Sequence, residues 1–159
     1  MGTVRSGNWY GNDTTWRMVL DLNRILMYAD SQGTLHGHAV RRFFSVVDGI
    51  IGGEGNGPLD PTPKKVGVIV VGGNPVAVDL ACVRLMGFDC GRIPIVQRAF
   101  DEHSLPLVGF GLDDVVVRSN DPNLTGACGA AYDPVLAFEP HFGWKGHIEA
   151  GLKPVGAAS

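Results

Sequence analysis

Three acidic residues in the first half of the chain have the types and spacing for metal or acid–base chemistry. Asp48 follows an apolar run, Glu54 lies inside the glycine-rich sequence GGEGNG, and Asp79 lies on a stretch that is otherwise apolar. Carboxylates are ligands that a hard divalent cation such as Mg²⁺ prefers, and a carboxylate in apolar surroundings can act as a general base. The pattern therefore predicts a shared acidic site in which all three residues are metal ligands, or one is the catalytic base.

The glycine-rich loop is predicted to supply the polar ligand groups of that site. Its sequence fits neither G-x-x-x-x-G-K-[ST] nor G-x-G-x-x-G, and the Glu54 carboxylate would repel a phosphate held by the same amides. A small polar ligand or a cation is therefore favoured over a nucleotide. At the start of the following helix, free N–H groups would attract a negative group of the ligand. The expected ligand-binding residues are Gly53, Gly55, Asn56, Gly57 and Asn74.

Each acidic residue also has a purely structural interpretation, because structural ion pairs imitate functional sites. Asp48 could cap a turn, and Asp79 could lie on a solvent-facing stripe of its helix. Glu54 could pair with Lys64 or Lys65. The residue types alone leave both interpretations open.

The elements that must position these residues are predicted from apolar patterning. Residues 14–29 predict a first helix, capped by Asn12 or Asp13, that is mostly buried because it has only a narrow polar stripe. Residues 43–51 and 66–73 predict strands, and the continuous β-branched run of the second is typical of a central strand covered on both faces.

A second helix is marked by its boundaries. Asn74 is a suitable N-cap, Pro75 fits the first helical position, and Gly87 ends the helix. A short helix from residue 94 and a strand at 113–119 would complete a β-α-(α)-β crossover.

The predicted fold class is thus α/β, a mixed or mostly parallel sheet with flanking helices. The whole chain, 1–159, is expected to form a single domain with an irregular C-terminal segment beyond residue 120. In a parallel sheet the loops after both strands meet at one edge, where ligands gather. Antiparallel strands, which the long connection at 52–65 permits, would separate the two loops instead.

Composition excludes several classes of function. A net charge of −3 gives no electrostatic reason for nucleic-acid binding, and no apolar run reaches the length of a membrane span. With no apolar leader sequence, the expected location is the cytoplasm. The cysteines, at 82, 90 and 128, form no C-x-x-C pair, so no disulfide framework and no iron–sulfur cluster is expected. His36 and His38 are more typical of a solvated loop than of metal ligands.

Four motifs in order give the chain a family resemblance. They are GNWYGNDTTWRMVLDLNRIL, VVDGIIGGEGNGPL, GGNPVAVDLACVRLMGFD and IPIVQRAF. The combination resembles the C-terminal part of the domain of unknown function 362 family over about residues 6–120, with 141–149 as an extension. Larger members carry a further N-terminal segment and sometimes ferredoxin-like iron–sulfur modules. The resemblance implies no activity, but it gives weight to Asp48, to residues 54–58 and to Asp79.

Two hypotheses about function follow. In the first, the chain is the core of an enzyme and binds a small polar ligand in an acidic, glycine-lined crevice, with a divalent cation such as Mg²⁺ as the expected cofactor. In the second, it is a non-catalytic assembly domain whose glycine loop is structural and whose apolar first helix docks on another subunit. The chain is expected to be either a short stand-alone relative or a fragment, and surface exposed in a fragment would favour a homo-oligomer. Proximity of Glu54 and Asp79 favours the first hypothesis, and a wide separation favours the second.

Overall fold

The computed structural model describes residues 8–128 and 136–151. These residues form a mixed α/β fold with three helices, two antiparallel strand pairs and several single 3₁₀ turns. The elements in chain order are α1 (Thr15–Tyr28), β1 (Ser45–Asn56), β2 (Asp60–Gly72), α2 (Pro75–Met86), α3 (Pro94–Gln97), β3 (Val116–Val117) and β4 (Gly126–Ala127).

The two long strands form an antiparallel hairpin, so the prediction of a mixed or mostly parallel sheet was wrong. β1 pairs with β2 from Ser45 opposite Gly72 to Asn56 opposite Asp60, with a register shift between Gly49 and Ile51. Of the residues at 52–65 that were interpreted as a long connection, all but 57–59 belong to these two strands. The predicted crossover is also absent from the described residues, because β3 pairs antiparallel with β4 rather than with β2.

β2 is not the central strand that its apolar run predicted. Along its second half, exposed and half-buried residues alternate, and Ile69 and Val71 remain 63% and 56% exposed. The other face of the strand packs against α2. A Cβ atom at Gly72 would lie 2.7 Å from Cγ2 of Val78, so this close approach of helix and strand requires glycine. The described part of the sheet is therefore covered on one face only.

The second helix was predicted correctly from its boundaries. Asn74 caps α2, Pro75 is its first residue, and Gly87 ends it in the left-handed conformation with φ of 81°. For α1, Asn12 or Asp13 was predicted as the cap, but Thr14 holds the N-cap position without a side-chain cap bond. Asn12 lies two residues earlier, and its Oδ1 accepts hydrogen bonds of 3.0 Å from the backbone N–H groups of Thr14 and Thr15.

The prediction that α1 is mostly buried was wrong. Only Leu20 and Tyr28 are buried in this helix. Four large apolar side chains on its other face are about half exposed, namely Met18, Leu22, Ile25 and Leu26. Their spacing places them on one stripe, because residues three and four apart are neighbours on a helix surface. Within the described ranges, no helix has the length and apolar character needed to cross a membrane.

The core forms around α2. One cluster contains Leu80, Ala81 and Val83 from this helix together with Val96 and Cys128. A second joins Val76 to Leu20, Ala99 and Leu107. Both clusters share this helix, so α2 fixes the positions of the residues on its remaining surface, Asp79 among them. After residue 120 the described chain contains only a 3₁₀ turn and β4 as regular elements.

Candidate functional site

The structure separates two of the predicted metal ligands. Asp48 and Glu54 lie six residues apart on β1. At about 3.3 Å per residue this separation is roughly 20 Å. Two ligand oxygens of one Mg²⁺ ion, each about 2.1 Å from the metal, cannot lie so far apart. Across residues 8–128 and 136–151, no group of three or more His, Cys, Asp or Glu side chains could hold a metal ion.

Glu54 forms an ion pair that holds the hairpin against the C-terminal segment. Its Oε2 accepts hydrogen bonds from Lys64 Nζ at 2.8 Å and from the backbone N–H of Glu139 at 3.0 Å. The Lys64 ammonium, followed by the Glu139 N–H, lowers the pKa of the Glu54 carboxyl below its ordinary value. The N–H of Gly55 donates to the Glu139 carbonyl at 2.8 Å, which continues the clamp along the backbone. Within the described residues, Glu54 thus forms the ion pair with Lys64 that was expected if its role is structural.

The glycines of the predicted binding loop have close neighbours or unusual backbone angles. A Cβ atom at Gly53 would lie 2.9 Å from Pro61 Cβ, and Gly55 has a φ of 74°. The N–H of Gly57 donates to the Gly55 carbonyl, and Asn56 is the last residue of β1, opposite Asp60. Close strand packing and the end of a hairpin therefore explain this composition, while a binding role for these residues stays a prediction.

Two other predicted site residues near the sheet, Asp48 and Asn74, also make hydrogen bonds that stabilise the fold. Asp48 is exposed, and its Oδ1 accepts a hydrogen bond of 3.1 Å from Ile50 N at the register shift of β1. Asn74 uses both side-chain polar atoms: Oδ1 accepts from Ala77 N at 3.1 Å, and Nδ2 donates to the Leu107 carbonyl at 3.0 Å. Because β1 and β2 are antiparallel, Asn74 and Glu54 lie at opposite ends of the hairpin.

Asp79 lies in a different environment, at the wall of a cavity of about 260 Å³. The cavity lies between α1, α2 and the segment around α3, is open to solvent on one side, and is also lined by Trp144 and Ile148 from the C-terminal segment. Apolar atoms dominate its wall, which includes Trp16, Val83, Ile95, Trp144 and Ile148. Polar groups come from Asn8, Asn12, Thr15 and Asp79. An apolar cavity with a few polar groups is the usual form of a small-molecule site.

The Asp79 carboxylate has no hydrogen bond or ion pair in the part of the chain that the structure describes. Asp79 is exposed, as the solvent-facing interpretation expected, but the atoms packed around its carboxyl group remove part of its solvent and raise the pKa of Asp79 above its ordinary value. One turn along the helix, burial and, to a smaller extent, the Asp79 charge raise the pKa of the Cys82 thiol. Cys82 therefore stays protonated and is a poor nucleophile.

Two contacts of aromatic side chains, one hydrogen bond and one ring stack, fix the C-terminal segment next to the cavity. Trp144 Nε1 donates to the Asn8 carbonyl at 3.0 Å. Tyr10 stacks on His147, with ring centroids 3.7 Å apart and an interplanar angle of 3°. Sequence reasoning missed Trp144 and Ile148 as residues of this cavity. No local pattern connects them to α2, more than fifty residues earlier.

The raised pKa of Asp79 gives a testable pH dependence. The folded state binds the carboxyl proton more tightly than the unfolded state, whose pKa is near the ordinary 3.8. Stability therefore falls as the pH rises from 3.8 to the folded pKa, and the ionised group remains unfavourable above that range. Asp79→Asn should raise the free energy of unfolding at neutral pH by about 0.5–1 kcal/mol, a small gain because solvent still reaches the carboxylate.

Urea denaturation at several pH values measures this effect. The advantage of Asp79→Asn should disappear at about pH 3, where both folded and unfolded wild-type chains carry a protonated Asp79. The matched control is Asp48→Asn, which changes an exposed carboxylate outside the cavity that accepts a hydrogen bond from Ile50 N, and it should alter stability by less than about 0.5 kcal/mol. A constant difference between wild type and Asp79→Asn at every pH would contradict the proposed environment.

The other candidate ligands are engaged locally. His36 Nε2 lies 2.9 Å from Asp30 Oδ2, and the His36 and His38 rings are 5.7 Å apart, but no third ligand in the described residues completes a metal set. Burial raises the pKa of the Cys128 thiol above its ordinary value, and it belongs to the core.

Comparison with known proteins gives one match. A family model described as Domain of unknown function (DUF362) matches residues 1–84, which contain Asp48, Glu54 and Asp79. No curated protein and no solved structure matches the chain. The match confirms the family resemblance but not its expected extent. It covers the N-terminal half of this chain rather than residues 6–120, and a match to a C-terminal part of the family is not supported.

Proposed function

Since the chain belongs to the DUF362 family, whose description names no activity, we propose that it binds a small ligand in the cavity beside Asp79. The observation that carries the proposal is a carboxylate without a partner, among the described residues, in the wall of an otherwise apolar cavity of about 260 Å³. The apolar wall takes part of the solvent from this carboxylate, which remains exposed on its other side, so a group that pairs with it is favoured. The ligand supplies that group.

The cavity specifies the chemical class of this ligand. Its walls fit an aromatic or branched aliphatic body, with Trp16 and Trp144 as aromatic surfaces. Asp79 fits a protonated amine, because a charge-assisted hydrogen bond restores what the carboxylate loses by desolvation. A bare divalent cation fits less well, because Asp79 is the one acidic residue in this wall and hard cations take several oxygen ligands. The proposal thus keeps the small ligand predicted from the sequence and moves its site away from the glycine loop.

A thermal-shift panel of matched probes tests this function. Benzylamine, benzyl alcohol and benzoate share one aromatic body and differ in the group that would face Asp79. Benzylamine should raise the melting temperature of the wild-type protein most, since a ligand at 100 times its Kd adds about 2.7 kcal/mol of stability. Benzyl alcohol should act weakly, and benzoate should have no effect.

The Asp79→Asn variant is the control for the panel. Its side chain has nearly the same shape but cannot form the ion pair, so the response to benzylamine should fall to that of benzyl alcohol. Equal responses of the wild type and the variant to benzylamine would rule out Asp79 as the recognition group. Equal effects of amine and benzoate on the wild type would show that apolar contact alone governs binding.

The assembly function remains the second candidate because of α1. The exposed stripe of Met18, Leu22, Ile25 and Leu26 is a contiguous apolar surface of the kind that contacts another subunit. The charges beside it are already paired locally, Asp13, which precedes α1, with Arg17 and Asp21 with Arg24. A second copy of the chain could therefore pack its own stripe here without leaving unpaired charges. A panel without any thermal response would favour this candidate over the ligand site.

A further inference from the structure

The cavity beside Asp79, about 260 Å³ in volume, has a smaller neighbour of about 40 Å³ in the groove between α1 and α2. The large cavity lies along the start of α1 and the second half of α2, where its wall includes Trp16, Val83 and Met86. The small cavity lies further along α1 and at the start of α2. Its residues from these helices are Val19, Leu20, Asn23, Pro75, Val76 and Asp79. The two cavities are thus successive parts of one groove.

Asp79 lies where the two cavities meet. Among the residues of α1 and α2, all of which the structure describes, it alone lines both cavities. Ile95 and Val96 of α3 also line both, so α3 forms a common floor. A ligand whose charged group contacts the Asp79 carboxylate can therefore extend into the groove on either side of it.

Most of the wall of the small cavity is apolar. Leu20, Val76 and Leu107 line it, and all three are buried members of one core cluster. About 10–15 Å³ is enough space for one water molecule. A volume of about 40 Å³ therefore accepts a short alkyl group such as methyl but not a ring.

Asn23 adds a second acceptor to this wall. Its Nδ2 donates to the Val19 carbonyl at 2.9 Å, and within the described residues its Oδ1 accepts no hydrogen bond. The small cavity thus has two acceptors, the Asp79 carboxylate and this amide oxygen, beside an apolar interior. An ammonium nitrogen that carries two N–H groups and one short alkyl group matches both the acceptors and the apolar space.

We infer, on the basis of the proposed function, that the ligand is a secondary amine with a short alkyl group on its nitrogen. The aromatic or branched body occupies the large cavity. The ammonium group donates to the Asp79 carboxylate and to Asn23 Oδ1. The alkyl group enters the small cavity, where it contacts Leu20 and Val76.

Isothermal titration calorimetry with three probes measures this selectivity. Benzylamine, N-methylbenzylamine and N-tert-butylbenzylamine share one aromatic body and a positively charged nitrogen. The wild-type protein should bind N-methylbenzylamine about three- to fivefold more tightly than benzylamine, because one more carbon is buried. N-tert-butylbenzylamine should bind more weakly than benzylamine, because its substituent is too large for the small cavity.

The Val19→Leu variant removes the space for the methyl group. Val19 is half-buried and lines the small cavity but not the large one, and leucine forms helices better than valine. The preference for N-methylbenzylamine over benzylamine should therefore fall to a ratio of about one. Met18→Leu is the matched control on the exposed face of the same helix, and it should keep the wild-type ratio. Circular dichroism checks that both variants fold.

The outcomes distinguish the secondary amine from the amine site itself. If benzylamine binds through Asp79 but N-methylation brings no gain, the secondary amine is wrong and the proposed function stands. If Val19→Leu keeps the wild-type ratio, the methyl group lies elsewhere, and the secondary amine is again wrong. If benzylamine does not bind to the wild-type protein, the proposed function fails and the secondary amine fails with it.

Discussion

Replacement of Asn74 by alanine is expected to lower the free energy of unfolding by about 2–4 kcal/mol. Asn74 makes two structural hydrogen bonds at once: its Oδ1 caps α2 at Ala77 N, and its Nδ2 donates to the Leu107 carbonyl. Loss of an N-cap costs about 1 kcal/mol, and a half-buried carbonyl left without a donor costs about 1–3 kcal/mol more. Urea denaturation followed by circular dichroism measures the change.

The Asn74→Asp variant separates the two contributions. Aspartate keeps the oxygen that caps the helix but removes the donor to Leu107. This variant should therefore lose only the stability of about 1–3 kcal/mol that depends on the hydrogen bond to the Leu107 carbonyl. This variant would also repel an anion at the α2 N-terminus. If Asn74→Ala changed stability by less than about 0.5 kcal/mol, the side chain would not be structural, and the predicted anion-binding role would regain support.

Sequence reasoning predicted α2 correctly because its signals are local. An N-cap, a proline at the first position and a left-handed glycine at the end act within a few residues of the helix, and Asn74, Pro75 and Gly87 occupy these positions. Strand pairing is not local. Residues 43–51 and 66–73 have the same apolar runs in a parallel sheet and in a hairpin, so their composition could not decide between the two.

One feature of residues 52–65, which were predicted as a long connection, did favour the hairpin. Pro61 and Pro63 lie on β2, and proline is confined to edge strands because it cannot donate to the ladder. The prolines were given no weight in that prediction. As marks of an edge they argue against a central strand at 60–72, which agrees with the two-stranded sheet of the described residues.

The candidate site could be predicted only in part. The apolar neighbours of Asp79 on α2 indicated that its helix offers no ionic partner, and the described structure contains none. For Glu54 the sequence left open a pair with Lys64 or Lys65, and hairpin pairing brings Lys64 within 2.8 Å. The two carboxylates therefore differ through contacts that strand register creates. The same holds for Trp144, which reaches the cavity only because the C-terminal segment packs against the start of α1.

Leu80→Ala is expected to cost about 3 kcal/mol, within the range of 2–5 kcal/mol for leucines in close-packed cores. Leu80 is 1% exposed and belongs to the cluster that joins α2 to Val96 and Cys128. Truncation removes apolar contacts and leaves a cavity that the surrounding residues cannot fill completely. At about 2–4 °C per kcal/mol for a chain of this size, the melting temperature should fall by about 6–12 °C.

Leu59→Ala is the matched control because the same atoms are removed from a side chain that is 96% exposed. Its stability should change by less than about 0.5 kcal/mol. Similar losses in the two variants would contradict the core assignment, because the cost of truncation depends on burial. The comparison also bears on the ligand site. Leu80 is adjacent to Asp79 on α2 but does not line the cavity. Because Leu80→Ala loosens the core beneath Asp79, it should weaken the thermal response to benzylamine. Leu59→Ala should leave that response intact.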